Sequence, residues 1–198
     1  LTNFVDLSVD QDGGAIRIIN GALECENVKF EKCKSNTGGG GGVYINNEIE
    51  TNTQVRLDNL NFNNCKALYG GAVYVYSSST TVKTTIHNCK FIKNEATASK
   101  SEQLYGGGAL FLHVRNGDAS GNTFYKNKGG TIKVINTFEN KYSMLLDNNC
   151  PSFLVLKCEF VKDIDSNSLF FYVAGNNGAK FVINDCVFSG NLHEGAHY

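Results

Sequence analysis

At 198 residues and a formal net charge of −1, the chain can bury one ordinary core, and it shows no overall electrostatic pull toward nucleic acid or anionic membrane. No stretch approaches the roughly 20 uninterrupted apolar residues that a bilayer span needs. Twenty-one Gly and 25 Asn stand against one Pro (Pro151), one Met (Met144) and no Trp. With Val, Ile, Phe, Tyr and Thr well represented, this composition opposes helix and favours strands joined by turns. No dozen-residue segment carries a capped 3.6-residue apolar period, so the expected class is all-β.

Taken in chain order, one pattern recurs. A Gly-Gly-small-aliphatic-x-aliphatic block runs from Gly13 to Ile18, Gly40 to Ile45, Gly70 to Val75, Gly107 to Leu112 and Gly129 to Val134, with a degenerate sixth copy expected at Ser166 to Phe171. Each block is answered by a Phe followed three residues later by Asn, Asp or Cys: Phe30, Phe62, Phe91, Phe124, Phe160 and Phe188. The glycine blocks start 27, 30, 37, 22 and 37 residues apart, and the Phe residues 32, 29, 33, 36 and 28. A repeat of that length with fixed cores and variable gaps marks a stacked solenoid with protruding loops. The shortest repeat is too short for a strand–helix unit, but it fits two or three strands joined by turns. The expected fold is therefore a right-handed, single-stranded parallel β-helix of about six rungs, a pectate-lyase-like solenoid. With strands about 4.8 Å apart, six rungs stand roughly 25–30 Å tall. Residues 1–198 read as one such segment. The start at Leu1, without initiator Met or signal-peptide pattern, reads as a fragment of a longer chain.

Period-two alternation sorts the side chains. Ile16, Val43, Val73, Leu110, Ile132 and Leu169 are expected to fill one inward column, with Ile18, Ile45, Val75, Leu112, Val134 and Phe171 two residues on. The Phe residues form a third, and Val28, Leu60, Cys89, Asn122, Cys158 and Cys186 share their face. Three residues after each Phe come Cys33, Cys65, Asn94, Asn127, Asp163 and Asn191, a corner column in which stacked Asn can hydrogen-bond and tolerate left-handed backbone angles. The glycine pairs mark another corner, where positive φ or close backbone approach excludes a Cβ. Asn46 to Thr53, Ser77 to Thr81 and Glu95 to Leu104 read as polar surface loops, and Ile135 to Leu156 holds an extra strand of undefined register. The seven cysteines form no zinc-type pair, are odd in number, and read as small buried apolar residues. Cys33 and Cys65 fall in equivalent places of adjacent rungs, a geometry that disfavours the disulfide dihedral. No Asn begins an Asn-x-Ser/Thr sequon.

The paired Gly-Gly-Ala-[Ile/Val/Leu] and Phe-x-x-Asn tetrapeptides, closest in Gly-Gly-Ala-Val-Tyr at Gly70 and Gly-Gly-Gly-Ala-Leu at Gly106, resemble the repeats of the chlamydial polymorphic outer membrane proteins and related eukaryotic surface proteins. The resemblance covers Gly13 to Asn191. It implies a right-handed parallel β-helix passenger with a structural or adhesive role, extracellular or at the cell surface. Cys33, Cys65 and Asp163 depart from the expected Asn, the last repeat lacks its glycine pair, and nothing like a membrane-inserted barrel is present.

Parallel β-helices also carry polysaccharide lyases and hydrolases, which need paired carboxylates or an Asp-lined calcium site. Glu24 with Glu26 reads as a solvated pair flanking Cys25 ahead of its strand, Asp163 as a corner residue, and Asp185 as solvated. His193-x-x-x-His197 lies in a short tail, His113 faces outward, and the glycine run from Gly38 to Gly42 lacks the Lys-Ser/Thr of a phosphate loop. No catalytic constellation, metal site or cofactor site is therefore assigned. The candidate binding feature is the outward position between the two aliphatic columns, where Tyr44, Tyr74, Phe111 and Phe170 form an outer aromatic face for protein or glycan contact. Cross-strand packing explains the same residues without a ligand. The expected partners are other protein subunits or neighbouring segments of the same protein, with glycans as a further class. Nucleic acid and direct membrane insertion are not expected. A carbohydrate-active β-helix enzyme and an intracellular scaffold are the alternative readings.

Overall fold

A computed structural model describes residues 2–48, 54–77, 84–98, 106–114, 116–129, 132–136, 152–161, 171–175 and 180–189. Among these residues there is no helix, and every strand pairing is parallel. The chain is a parallel β-solenoid whose repeats contribute one strand each to three main sheets, the first four repeats adding two residues each to a fourth, short one.

The Phe sheet has seven strands, from Thr2–Val5 through Val28–Glu31, Asn61–Asn63, Lys90–Ile92, Thr123–Tyr125 and Glu159–Val161 to Val187–Ser189. Its register places Phe4, Phe30, Phe62, Phe91, Phe124, Phe160 and Phe188 directly opposite one another. The first five rings stack nearly parallel, with neighbouring centroids between 4.6 Å (Phe30–Phe62) and 5.2 Å (Phe62–Phe91). Phe30, Phe62 and Phe91 are wholly buried. Phe4 heads this ladder although no glycine pair precedes it, which is why the repeat pattern missed its strand.

The aliphatic sheet, which follows each glycine pair, runs Ile16–Ile19, Val43–Asn47, Val73–Ser77, Leu110–Val114, Ile132–Asn136 and Phe171–Gly175. The two inward columns hold their expected register through Ile132 and Val134. The sixth copy does not. Phe171, not Leu169, lies opposite Ile132, and Val173, not Phe171, opposite Val134. Without a glycine pair nothing in the local sequence fixes the start of that strand, and the observed register differs from the expected one by two residues, which preserves the inward–outward alternation.

A polar sheet, unmarked by any motif, runs Leu23–Glu26, Val55–Asp58, Thr84–His87, Asn116–Ser120, Ser152–Leu156 and Lys180–Asn184. Cys25, Leu57, Ile86 and Ala119 form its buried column. Glu24 and Glu26 thus belong to a strand, exposed on either side of Cys25, rather than preceding one. Ser8–Val9, Lys34–Ser35, Lys66–Ala67 and Glu95–Ala96 make the short sheet. The expected loops therefore begin later than their polarity suggests. Asn47 and Ser77 end strands with buried side chains, and Ala96 is buried.

Three corners of the repeat have left-handed backbone. One holds the first glycine of each pair (Gly13, Gly40, Gly70, Gly107 and Gly129). A second lies three residues before each Phe, at Asn27, Asn59, Asn88, Gly121, Lys157 and Asp185, the last of them exposed as expected. The third lies two residues after it, at Asp6, Lys32, Asn64, Lys93 and Lys126. The left-handed residue is thus the one before the corner Asn, not the Asn itself. The second glycine of each pair has another reason to lack a side chain: a Cβ on Gly71 would stand 2.2 Å from the Gly108 carbonyl oxygen of the next repeat. The corner between the polar and Phe sheets is one or two residues long in every repeat. The connection from the aliphatic to the polar sheet ranges from Arg115 alone to the stretch 137–151.

Candidate functional site

Two ladders of polar side chains run inside the corners that flank the Phe sheet. In the first, Asn94 Nδ2 donates to the Phe62 carbonyl (3.1 Å) and Asn127 Nδ2 to the Phe91 carbonyl (2.9 Å). The Asn94 Oδ1 accepts from the Cys65 N–H and the Asn127 Oδ1 from the Asn94 N–H, each at 2.9 Å. Cys33 and Cys65, the departures from Asn, aim their thiols at the equivalent carbonyls of Phe4 (3.5 Å) and Phe30 (3.7 Å). The second ladder repeats the device two residues before the Phe. Cys89 Sγ, Asn122 Nδ2 and Cys158 Sγ reach the carbonyls of Leu57, Ile86 and Ala119, which are register equivalents. Cysteine thus substitutes for asparagine as a weak donor of the right size. The thiols of Cys25, Cys33, Cys65 and Cys89 form no disulfide. Burial pushes Cys89 up to about 12, and hydrogen bonding to Cys33 together with burial holds Cys65 well above the ordinary thiol range. Cys65 and Cys89 are thus structural groups without thiolate character, while the hydrogen bond with Cys65 lowers Cys33.

On the outside of the aliphatic sheet the expected aromatic face takes shape. Tyr44 stacks on Tyr74 at 5.0 Å and Tyr74 on Phe111 at 4.8 Å, with interplanar angles of 17° and 14°. The Arg17 guanidinium lies 6.0 Å over the Tyr44 ring and extends the stack by one strand. Tyr44 and Tyr74 are half-buried and Phe111 is 7% exposed. Tyr69 meets Phe111 edge-on at 5.7 Å, and Gly39 runs so close to Tyr74 that a Cβ there would sit 2.9 Å from the ring. The ladder therefore lies in a trough beside the glycine corner, open mainly at its Tyr44 end. Burial pushes the Tyr74 hydroxyl up to about 12, with Tyr44 and Asp12 adding to the effect. Burial and Asp12 raise Tyr44, which Arg17 partly offsets. Phe170 lies outside the described residues, and the residue in register with Lys133 is Tyr172.

At the open end of the trough, Val9, Asp10, Gln11, Asp12, Ala15 and Arg17 line a shallow depression of about 500 Å³. Asp12 Oδ1 accepts the Gly39 N–H at 2.8 Å, and its other oxygen lies 4.0 Å from Arg17 Nε. A cation, a carboxylate and an aromatic face thus meet there, as does backbone near the left-handed Gly13.

Other sequence candidates are dispersed. His113 is half-buried edge-on against Tyr76, and burial lowers its pKa. His87 Nε2 contacts Asp118 Oδ1 across the polar sheet, beside an Arg56–Asp58 ion pair of 2.8 Å, a contact no sequence motif signalled. Asp163, Asp165, His193 and His197 lie outside the described residues. No described helix is long and apolar enough to cross a membrane. Comparison with protein-family models, with curated proteins and with solved structures finds no match to the chain.

Proposed function

We propose that this chain is a right-handed, six-rung parallel β-helix module of an extracellular or cell-surface protein, similar in its repeats to the chlamydial polymorphic outer membrane proteins, with a structural or adhesive role. Its stiffness comes from continuous internal ladders, and its contacts from side chains held one strand spacing apart. The observation that carries the reading is the outer stack Arg17–Tyr44–Tyr74–Phe111, with its trough opening onto Asp12 and Arg17. Flat rings set in a row suit the apolar faces of sugars or a protein surface. The partners under this reading are neighbouring protein segments or subunits, and glycans.

The test is a Tyr44→Ser, Tyr74→Ser double variant probed on glycan and cell-surface protein arrays, with its circular dichroism matched to the parent. Loss of binding with the fold retained supports the reading. Binding unchanged in the variant overturns it, as does turnover of polygalacturonate or alginate by the parent chain.

A further inference from the structure

The register gathers lysines onto one edge of the solenoid, although the whole chain carries a net charge of −1. At the left-handed corner two residues past each Phe stand Lys32, Lys93 and Lys126, with Asn64 between the first two. Two residues further on, the outward row of the short sheet holds Lys34, Lys66 and Lys128 with Glu95. One residue before the Phe, on the outward face, lie Lys29 and Lys90. Against these eight lysines the same rows, with the row one past the Phe, hold four carboxylates among the described residues: Glu159, in register with Thr123, and three matched in ion pairs, Lys29–Glu31 at 2.5 Å, Lys66–Glu95 at 3.0 Å and Lys32–Asp6 at 3.7 Å. Lys34, Lys90, Lys93 and Lys128 are exposed and make no ion pair with any described residue, while Lys126 lies 5.4 Å over the Tyr125 ring.

We propose that this edge docks a linear, carboxylated or sulfated polysaccharide lying along the solenoid axis. Like charges held side by side repel one another, and a partner that neutralises them all relieves this. The surplus lysines lie in three adjacent rows that run along the solenoid, interrupted at the Asn61–Asn63 strand, and their strands are stacked in steps of about 4.8 Å. An extended pyranose chain advances by nearly that distance per sugar and carries its charges at similar intervals. Asn61 and Asn64 fill the gap in the lysine rows, and Asn64, whose Nδ2 donates to Asn63 Oδ1 at 3.1 Å, leaves its own Oδ1 to accept from a sugar hydroxyl. Single-stranded nucleic acid is bound on successive aromatic platforms, and among the described outward residues of these rows Tyr125 is the one aromatic ring. The inference is independent of the Tyr44–Tyr74 face.

The experiment measures binding of a heparin oligosaccharide, an oligogalacturonate, a neutral dextran oligosaccharide and an oligo-dT of matched charge across a salt series. The variant combines Lys34→Gln, Lys93→Asn, Lys126→Asn and Lys128→Gln, Asn being the residue already present at the equivalent left-handed position 64. The parent is expected to bind an anionic oligosaccharide and not dextran. The variant should lose about fivefold in affinity per lysine, and its salt slope should flatten by about 3. Matched circular dichroism and thermal midpoint report that the variant is folded. Unchanged affinity in the variant, equal binding of dextran, oligo-dT bound as tightly as either anionic sugar, or loss through Tyr44→Ser, Tyr74→Ser instead would each overturn the proposal.

Discussion

Asn94 is wholly out of solvent, and its amide serves neighbours above and below. It accepts the Cys65 N–H and donates to the Phe62 carbonyl and the Asn127 Oδ1. Asn94→Ala leaves the Cys65 N–H and the Phe62 carbonyl without these partners, in a corner where water has no entry. Each such buried group costs about 1–3 kcal/mol, so the variant should lose about 2–6 kcal/mol of stability. Asn94→Cys should be milder. Its thiol can reach the Phe62 carbonyl as Cys65 reaches that of Phe30, so chiefly the N–H acceptor is lost, at about 1–3 kcal/mol. Urea unfolding followed by circular dichroism, with the slope monitored for a change in cooperativity, measures both. Lys90→Gln, on an exposed strand position, is the control and should stay within about 0.5 kcal/mol. An alanine variant that loses less than about 1 kcal/mol, or a cysteine variant that loses as much as alanine, would refute the view that the column works through its hydrogen bonds.

Three further outcomes are expected. Gly71→Ala, at a position without positive φ, should destabilise by about 3 kcal/mol or more through overpacking against Gly108, since its Cβ would lie 2.2 Å from that carbonyl oxygen; a neutral thermal shift would argue against the close approach. In native protein, Ellman's reagent should modify Cys186, which is half-buried, before the buried Cys33, Cys65, Cys89 or Cys158; mass mapping of an early burst at Cys33 or Cys65 would contradict the ladder. His113 has a folded pKa below its ordinary 6.5, so the unfolded chain binds its proton first as pH falls. The stability it lends is therefore full above about 6.5 and declines below it. His113→Phe should show a shallower fall in thermal midpoint between pH 7.5 and 5.5 than the parent, and parallel curves would disprove the assignment.

The sequence made the core legible wherever a motif repeats. Gly13 through Gly129 mark strand starts, and Phe30 through Phe188 mark ladder positions, because corners and stacked rings tolerate few residue types. Where those constraints lapse, legibility lapses too. The polar sheet was invisible because its inward column mixes Cys25, Leu57, Ile86 and Ala119, which share no residue type. The sixth aliphatic strand starts two residues later than the repeat pattern predicts because no glycine anchors it. The left-handed corner was assigned to Asn94 rather than Lys93, since lysine gives no turn signal by composition. On the surface, Tyr44, Tyr74 and Phe111 were found from alternation alone. Their partial cover by Tyr69 and Gly39 depends on a loop whose path the alternation does not encode. The lysine edge is not legible in the sequence because its members are separated by whole repeats, and net charge averages them away.

The uneven corners have an evolutionary consequence. Two bends per repeat admit almost no change in length, whereas the link from the aliphatic to the polar sheet accepts anything from Arg115 alone to residues 137–151. Insertions at that junction, as at the link from the short to the aliphatic sheet, leave both neighbouring registers untouched. A lineage could therefore rewrite its sequence there, and an engineer graft foreign epitopes there, while the stacked strands stay the same.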